Sequence, residues 1–215
     1  MPRGTLGEEV TEQEVWETLD ADHLWVLDKL ILSKKLGYVC GPTGTDVPAP
    51  GNYMVRPCVN AFGLGLGASV QFIEKSTDHL TPGHFWCEFF KGRHFSVDYK
   101  WGLIKLIVEG FKKDDTFVKW DKWAKVDDFS ALERILSFPK ILDEFISWPT
   151  VNIEFIGSKI IEVHFRENPD FAYDNSEFIP VWEEPSLSEH LEQQQKEYQY
   201  VECPDVHGRI GAFIK

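Results

Sequence analysis

Asn152, Glu154, Glu162, His164 and Arg166 take the alternate positions of two short runs, VNIEFI and IIEVHFR, joined through Gly157-Ser158. Val151, Ile153 and Phe155, then Ile161, Val163 and Phe165, fill the places between them. Period-two alternation is the pattern of strands with one apolar and one polar face. A three-residue loop, Gly157-Ser158-Lys159, with Gly supplying the unusual backbone angle, sets Ile156 opposite Ile160, Glu154 opposite Glu162 and Asn152 opposite His164. A two-residue loop puts Glu154 and Glu162 on opposite faces and mixes polar with apolar, so the pattern predicts the longer one. Facing carboxylates with Cβ atoms about 5 Å apart repel by roughly 3 kcal/mol at an effective dielectric of 20. Water on an open outer face relieves that repulsion. So does a hard cation such as Mg2+, which takes carboxylate and carbonyl oxygens. The hairpin alone leaves both readings open, a solvated sheet face or a Mg2+ site.

A second segment, VRPCVNAFGLGLGA, sets Gly63, Gly65 and Gly67 between two strand-like runs. Alternate glycines let backbone N–H groups approach an anion unhindered; the same pattern also suits a plain hairpin turn. No helix follows directly and no G-K-[ST] is present, which excludes the dinucleotide fingerprint and the P-loop. Arg56, at the start of this segment, is a candidate phosphate contact through its fork of donors, or a surface arginine on an edge strand.

The elements that must carry these groups are strand-rich. Residues 11–19 and 22–36 are predicted helices; in the second, Leu24, Leu27, Leu30 or Ile31, and Leu36 recur at helical spacing, and Gly37 is a natural stop. Residues 37–52 hold a short strand and a Gly/Pro-rich loop. Residues 53–59 form a strand that Pro57 confines to a sheet edge or a strand end, and residues 60–73 a turn and strand. Residues 84–102 are strands broken at Lys91-Gly92, and 103–126 strand, turn and strand. Ser130 with Glu133 makes a capping box, and Pro139 splits or restarts that helix. Residues 169–195 are a polar, Pro-interrupted segment with one short helix, and QYVEC with GRIGAFIK closes as a hairpin. Strands and helices are segregated rather than alternating, an α+β pattern.

The 215 residues suffice for one large domain or two joined lobes. The 22 basic and 35 acidic residues leave a net charge of −13, which argues against non-specific nucleic-acid binding. Residues 167–206 carry eleven Asp/Glu and one Lys, a solvated face or loop system. Cys40, Cys58, Cys87 and Cys203 show no metal spacing; three lie in apolar strand-like stretches and are expected as reduced core thiols. No apolar secretion segment and no membrane-length apolar run is visible, so a cytoplasmic protein that binds no membrane is expected.

Taken in order, four segments resemble the ATP-grasp superfamily, which clamps ATP between two α+β lobes. LDKLILSKKLGYVCGPTG is similar to its opening helix and strand, with Lys29 as the first ATP-contacting lysine. YMVRPCVNAFGLGLGASV resembles its strand and glycine lid, with Arg56 where many members carry lysine. FWCEFFKGRHFSVDY resembles the adenine hinge; the resemblance implies Glu88 on the exocyclic amine or ribose, the backbone of Phe89 and Phe90 on the adenine edge, and His94 on the ribose side. VNIEFIGSKIIEVHFREN is similar to the metal hairpin, usually N-x-E then E-x-N-x-R, which implies Glu154 and Glu162 bridging Mg2+ and Arg166 stabilising the transferred phosphoryl group. His164 stands where the family has asparagine, a ligand that leans toward Mn2+.

What the resemblance implies is an ATP-grasp-like fold of two α+β lobes with mainly antiparallel sheets. It is divided as an N-terminal helical extension (1–26), a lobe with the Gly-rich loop (27–83) and a lobe with the metal hairpin and acidic segment (84–215). The implied activity is an ATP-dependent carboxylate–amine or carboxylate–thiol ligase acting through an acylphosphate, with catalytic Arg56 and Arg166. A kinase and a non-catalytic nucleotide-binding or interaction protein are the alternatives. ATP and a carboxylate-bearing small molecule or peptide are the implied partners. Only 26 residues precede the matched helix, so a protein partner that supplies a substrate domain is a further expectation. K-x-D-G, H-E-x-x-H and G-x-S-x-G are absent, which disfavours nucleotidyl-lysine ligases and the common hydrolases.

Overall fold

The computed structural model describes residues 12–59, 67–112, 120–172, 174–182, 197–203 and 208–215. Gly63 and Gly65, residues 183–196 of the expected acidic segment and residues 1–11 of the expected extension lie outside these residues. Helix α1 spans Glu12–Thr18. The single helix expected over residues 22–36 is instead a 3-10 turn, Ala21–Val26, followed by α2, Lys29–Lys35. Asp28 causes the break: its backbone is extended, and its carboxylate accepts the N–H groups of Leu30 and Ile31 at 2.9 Å each. A short acceptor side chain that satisfies the free amides of a first turn starts a helix rather than continuing one. Lys29 is thereby set at the first position of α2. Gly37, at φ +75°, ends the segment as expected.

Two antiparallel sheets follow. The smaller has the order β1-β4-β2-β3, with β1 Cys40–Pro42, β2 Gly51–Pro57, β3 Ser69–Ile73 and β4 His84–Glu88. Val47, Tyr53, Val55, Ile73, Leu80 and Trp86 form its core, and Pro57 closes β2 at its end. Because β4 pairs with β1 and β2, the chain passes from the small sheet to the large one at residues 89–93. Among the described residues the small sheet includes no helix between its strands.

The larger sheet has the order β11-β12-β10-β7-β6-β5-β8-β9. Its strands are β5 His94–Lys100, β6 Leu103–Phe111, β7 Lys122–Lys125, β8 Val151–Ile156, β9 Lys159–His164, β10 Glu177–Trp182, β11 Gln199–Val201 and β12 Arg209–Ile214. One face carries the apolar members of the alternation: Phe95, Val97, Tyr99, Ile153, Phe155 and Val163 pack with Val15 of α1, Leu19 just after it, Leu32 of α2, and Leu142 and Phe145 of the 3-10 turn Lys140–Phe145. The opposite face of these strands holds the polar members and opens toward the small sheet.

Three local expectations are corrected. The capping box is out of register: α3, Ser130–Glu133, is preceded by Phe129, and Asp128 Oδ1, not Ser130, accepts an amide, that of Ser130 at 3.1 Å. The expected polar segment after residue 169 contains strand β10. Pro180 is tolerated there because β7 pairs only with Glu177 and Phe178, leaving its side of the ladder free of hydrogen bonds. The hairpin loop is the third correction and bears on the site. As expected, β11 and β12 form a closing hairpin, and all four cysteines are free thiols. No described helix is long and apolar enough to cross a membrane.

Candidate functional site

The carboxylate hairpin has a two-residue turn, not three: Ile156 pairs with Lys159 and Phe155 with Ile160. Gly157 sits at φ +61°, the conformation that the first position of such a turn demands. The extra residue appears farther along as a bulge at Ile161, after which Glu154 pairs with Glu162 and Asn152 with His164, as the shared polar face requires. The bulge also turns the Ile161 carbonyl outward, where it accepts a hydrogen bond from Arg56 Nη2 at 2.9 Å. A main-chain group displaced from the ladder thus ties the large sheet to β2 of the small one.

These groups line a cleft of about 1070 Å³ between the two sheets. One ligand atom from each of Glu154, Glu162 and His164 lies within 4.8 Å of the others. The two carboxylates already have partners within the site, the Lys29 ammonium among them. Lys29 Nζ lies 3.2 Å from Glu162 Oε1, and His164 Nε2 3.5 Å from the same oxygen, which is buried and accepts no hydrogen bond. His94 Nε2 lies 3.0 Å from Glu154 Oε2. Burial on its own raises the Glu154 carboxyl, but the hydrogen bond and charge of His94, helped by His164 and Lys29, outweigh it and hold the group down to about 2. Burial lowers the Arg56 guanidinium and Glu162 pulls it back up; its Nε is buried without a hydrogen-bond partner.

Glu88 lines the cleft, yet it is engaged with Val39, the residue before β1: its Oε1 accepts the Val39 N–H at 3.1 Å and its own N–H donates to Val39 O at 2.8 Å. Phe89, Phe90, Lys91 and Gly92 continue the cleft wall, with Phe90 edge-on to Tyr38 at 4.8 Å. His94 is brought to Glu154 and lies edge-on to Trp120 and Trp123. Arg166 follows β9 and lines the same cleft, donating to Glu167 O at 3.2 Å. Gly67 lies outside the cleft lining, at φ +83°, with Pro57 and His84 against the place a Cβ would take.

Residues that sequence reasoning passed over complete the floor. Ser96 and Asp98 of β5 stand opposite Glu154 and Asn152. Asn152 Nδ2 donates to Ser96 Oγ at 2.7 Å and to Asp98 Oδ1 at 2.8 Å; Asn168 donates its N–H to Asp98 and its Nδ2 to Ser96 Oγ at 3.1 Å. Burial raises the Asp98 carboxyl, and the Asn152 and Asn168 donors pull it back. The run HFSVDYK has the same alternation as the hairpin, so this polar face had a visible signal. Asp170 and Arg209, an ion pair at 2.8 Å, had none.

No family model and no curated protein matches the sequence. Solved structures do. N5-carboxyaminoimidazole synthetase from Staphylococcus aureus, complexed with ADP, aligns over 95% of this chain and 73% of its own at 11% identity, TM-score 0.58. L-amino acid ligase from Bacillus licheniformis aligns over 88% and 66% at 11% identity, TM-score 0.55. N5-carboxyaminoimidazole ribonucleotide synthetase from Thermotoga maritima aligns over 88% and 67% at 11% identity, TM-score 0.54. The chain therefore spans about two thirds to three quarters of the length of these structures. Identity this low speaks for the backbone alone: the chain is an α+β protein with the ATP-grasp fold.

Proposed function

We propose that the chain is an ATP-dependent ligase that activates a substrate carboxylate as an acylphosphate and passes the acyl group to an amine or a thiol. The observation that carries this reading is the trio Glu154, Glu162 and His164 facing Lys29 and Arg56 across one cleft. Two carboxylates and an imidazole suit a divalent cation, Mg2+ or, given the imidazole, Mn2+. A buried Glu162 oxygen without a hydrogen-bond donor is the kind of ligand such an ion takes. When bound, the cation would neutralise charge on the β- and γ-phosphates.

This chain's own residues supply the rest. Phosphoryl transfer is catalysed mainly by positioning and charge compensation. Lys29 and Arg56, held by Glu162 and by the Ile161 carbonyl, balance phosphate charge. The main chain of Phe89 and Phe90 reads the adenine edge, a task left to them by the engagement of Glu88 with Val39. Arg166, with no acidic side chain in ion-pair reach among the described residues, stabilises charge on the transferred group. The terminal phosphoryl moves to a carboxylate oxygen as its bond to the β-phosphate oxygen breaks and ADP leaves. The amine or thiol then attacks the acyl carbon and inorganic phosphate departs. The enzymes named above are synthetases and a ligase, which supports a ligase over a kinase. No covalent enzyme nucleophile is required.

ADP release measured with Mg·ATP, a panel of carboxylates and a panel of amines and thiols tests the reading. Release that requires both a carboxylate and an acceptor is the expected result. Release with a carboxylate alone, yielding a stable phosphorylated product, would indicate a kinase. Tight Mg·ATP binding with no turnover on any pair would indicate a nucleotide-binding module.

A further inference from the structure

Arg209 is an almost fully buried cation, its side chain 3% exposed, that lines the same cleft from strand β12. Its Nη1 donates to Asp170 Oδ1 at 2.8 Å, its Nε to Cys203 O at 3.3 Å, and its plane lies 5.2 Å from the Phe178 ring centre. Its Nη2 has no partner among the described residues. Asp170 is itself fixed: Asn168 Oδ1 accepts its N–H at 3.0 Å, and Asn168 is tied to Ser96 and Asp98 of the sheet floor. The Arg209 guanidinium is therefore anchored through a continuous chain of hydrogen bonds, Asp98 to Asn168 to Asp170, on the stretch that also begins with Arg166. A buried ion pair is a poor stabiliser, often no better than apolar residues of the same volume. One that opens on a cleft, with a donor left over, is well built for an anion.

We propose that Arg209 reads a second negative charge on the substrate, so that the carboxylate activated in this cleft belongs to a small dicarboxylic acid, amino-substituted or not. The inference rests on the ligase reading for the identity of the reacting carboxylate, which lies beside the Glu154–Glu162–His164 trio. Arg209, held two residues past Asn168's anchor by Asp170, takes the other. Arg209 is a specificity residue, and an equivalent monocarboxylate leaves its free donor without a partner.

Calorimetric titration of the full chain with glutarate and with butyrate, at constant ionic strength and both with and without Mg2+ and a non-hydrolysable ATP analogue, tests this. Glutarate binds at least about tenfold more tightly than butyrate, the scale of one charge-assisted hydrogen bond. Arg209→Gln brings glutarate down to the butyrate level while Mg·ATP affinity stays unchanged. Arg209→Lys recovers part of the difference, because the charge returns without the fork. If R209Q melts below the assay temperature, the double variant R209Q/D170N removes the stranded carboxylate and keeps the shape. Equal affinities for the two acids, no binding of either, or glutarate binding that survives R209Q overturns the proposal. Arg209-dependent glutarate binding in a protein that does not bind Mg·ATP overturns the nucleotide reading and leaves this anion site standing. Mg·ATP binding with glutarate unaffected by R209Q does the reverse.

Discussion

Lys29 Nζ stands 3.2 Å from Glu162 Oε1, joining the first turn of α2 to the far strand of the carboxylate hairpin. Both side chains are nearly buried, at 5% and 12% exposure. The lysine occupies the charge-compensating place that a bound cation or its phosphates would share, and it sets the behaviour of the apo protein.

Lys29→Met therefore leaves an uncompensated buried carboxylate and lowers stability by about 3 kcal/mol, the scale for removing one partner of a buried pair. Millimolar Mn2+ or Mg2+ should restore a larger part of the melting temperature in the variant than it adds to the wild type, because the ion replaces the lost ammonium. Melting curves with and without metal check this, and an equal metal response in both proteins would count against a cation at Glu162.

The double variant E154Q/E162Q behaves differently from what bare repulsion between two carboxylates predicts. Lys29 already compensates the Glu162 charge, and His94 and His164 lie within 3.0 and 3.5 Å of the carboxylate oxygens of Glu154 and Glu162. Removing both carboxylates strands Lys29, which is 4% exposed, and costs about 3–5 kcal/mol. Denaturant unfolding decides the sign: a double variant more stable than wild type would show that the repulsion, not the lysine pair, dominates.

Acid should probe Glu154 selectively. Its carboxyl is held from the ordinary 4.5 down to about 2, mainly by His94 working against burial. A depressed folded value contributes stability that is fully present above about 4.5 and is lost as pH falls toward about 2. Stability measured between pH 5 and 2 should fall less steeply in Glu154→Gln than in wild type. Parallel acid limbs would mean that Glu154 is not held by His94 in solution.

The polar face of the hairpin was legible because strand periodicity is strict and one-sided burial punishes any slip. The place of its extra residue was not. Nothing in IIEVHFR marks Ile161 as a bulge, and only the need of Arg56 for an acceptor gives the displaced carbonyl a use. The helix break at Asp28 had a local signal, a capping residue inside an apolar repeat, that periodicity outweighed. Strand β10 was hidden by Pro180, whose tolerance depends on how short β7 is, a fact of sheet order and not of local sequence. The partners of Glu162 and Glu154 lie 133 and 60 residues away in sequence, at Lys29 and His94; such pairings follow from topology, which is why the site's residue types were readable and its charge balance was not. Arg209 shares that origin, lying in a strand whose spacing carries no chemical pattern.

The central claim is that this cleft holds a nucleotide through a cation at Glu154 and Glu162. Calorimetric titration of ATP with and without Mg2+, into wild type and into the single variant Glu154→Gln, whose side chain is partly exposed and whose loss strands only a histidine, tests it most directly. Mg2+ should tighten ATP binding to the wild type by at least tenfold, about 1.4 kcal/mol, and the variant should lose most of that gain while binding metal-free ATP as before. The same Mg2+ tightening in both proteins, or none in the wild type, would contradict the account.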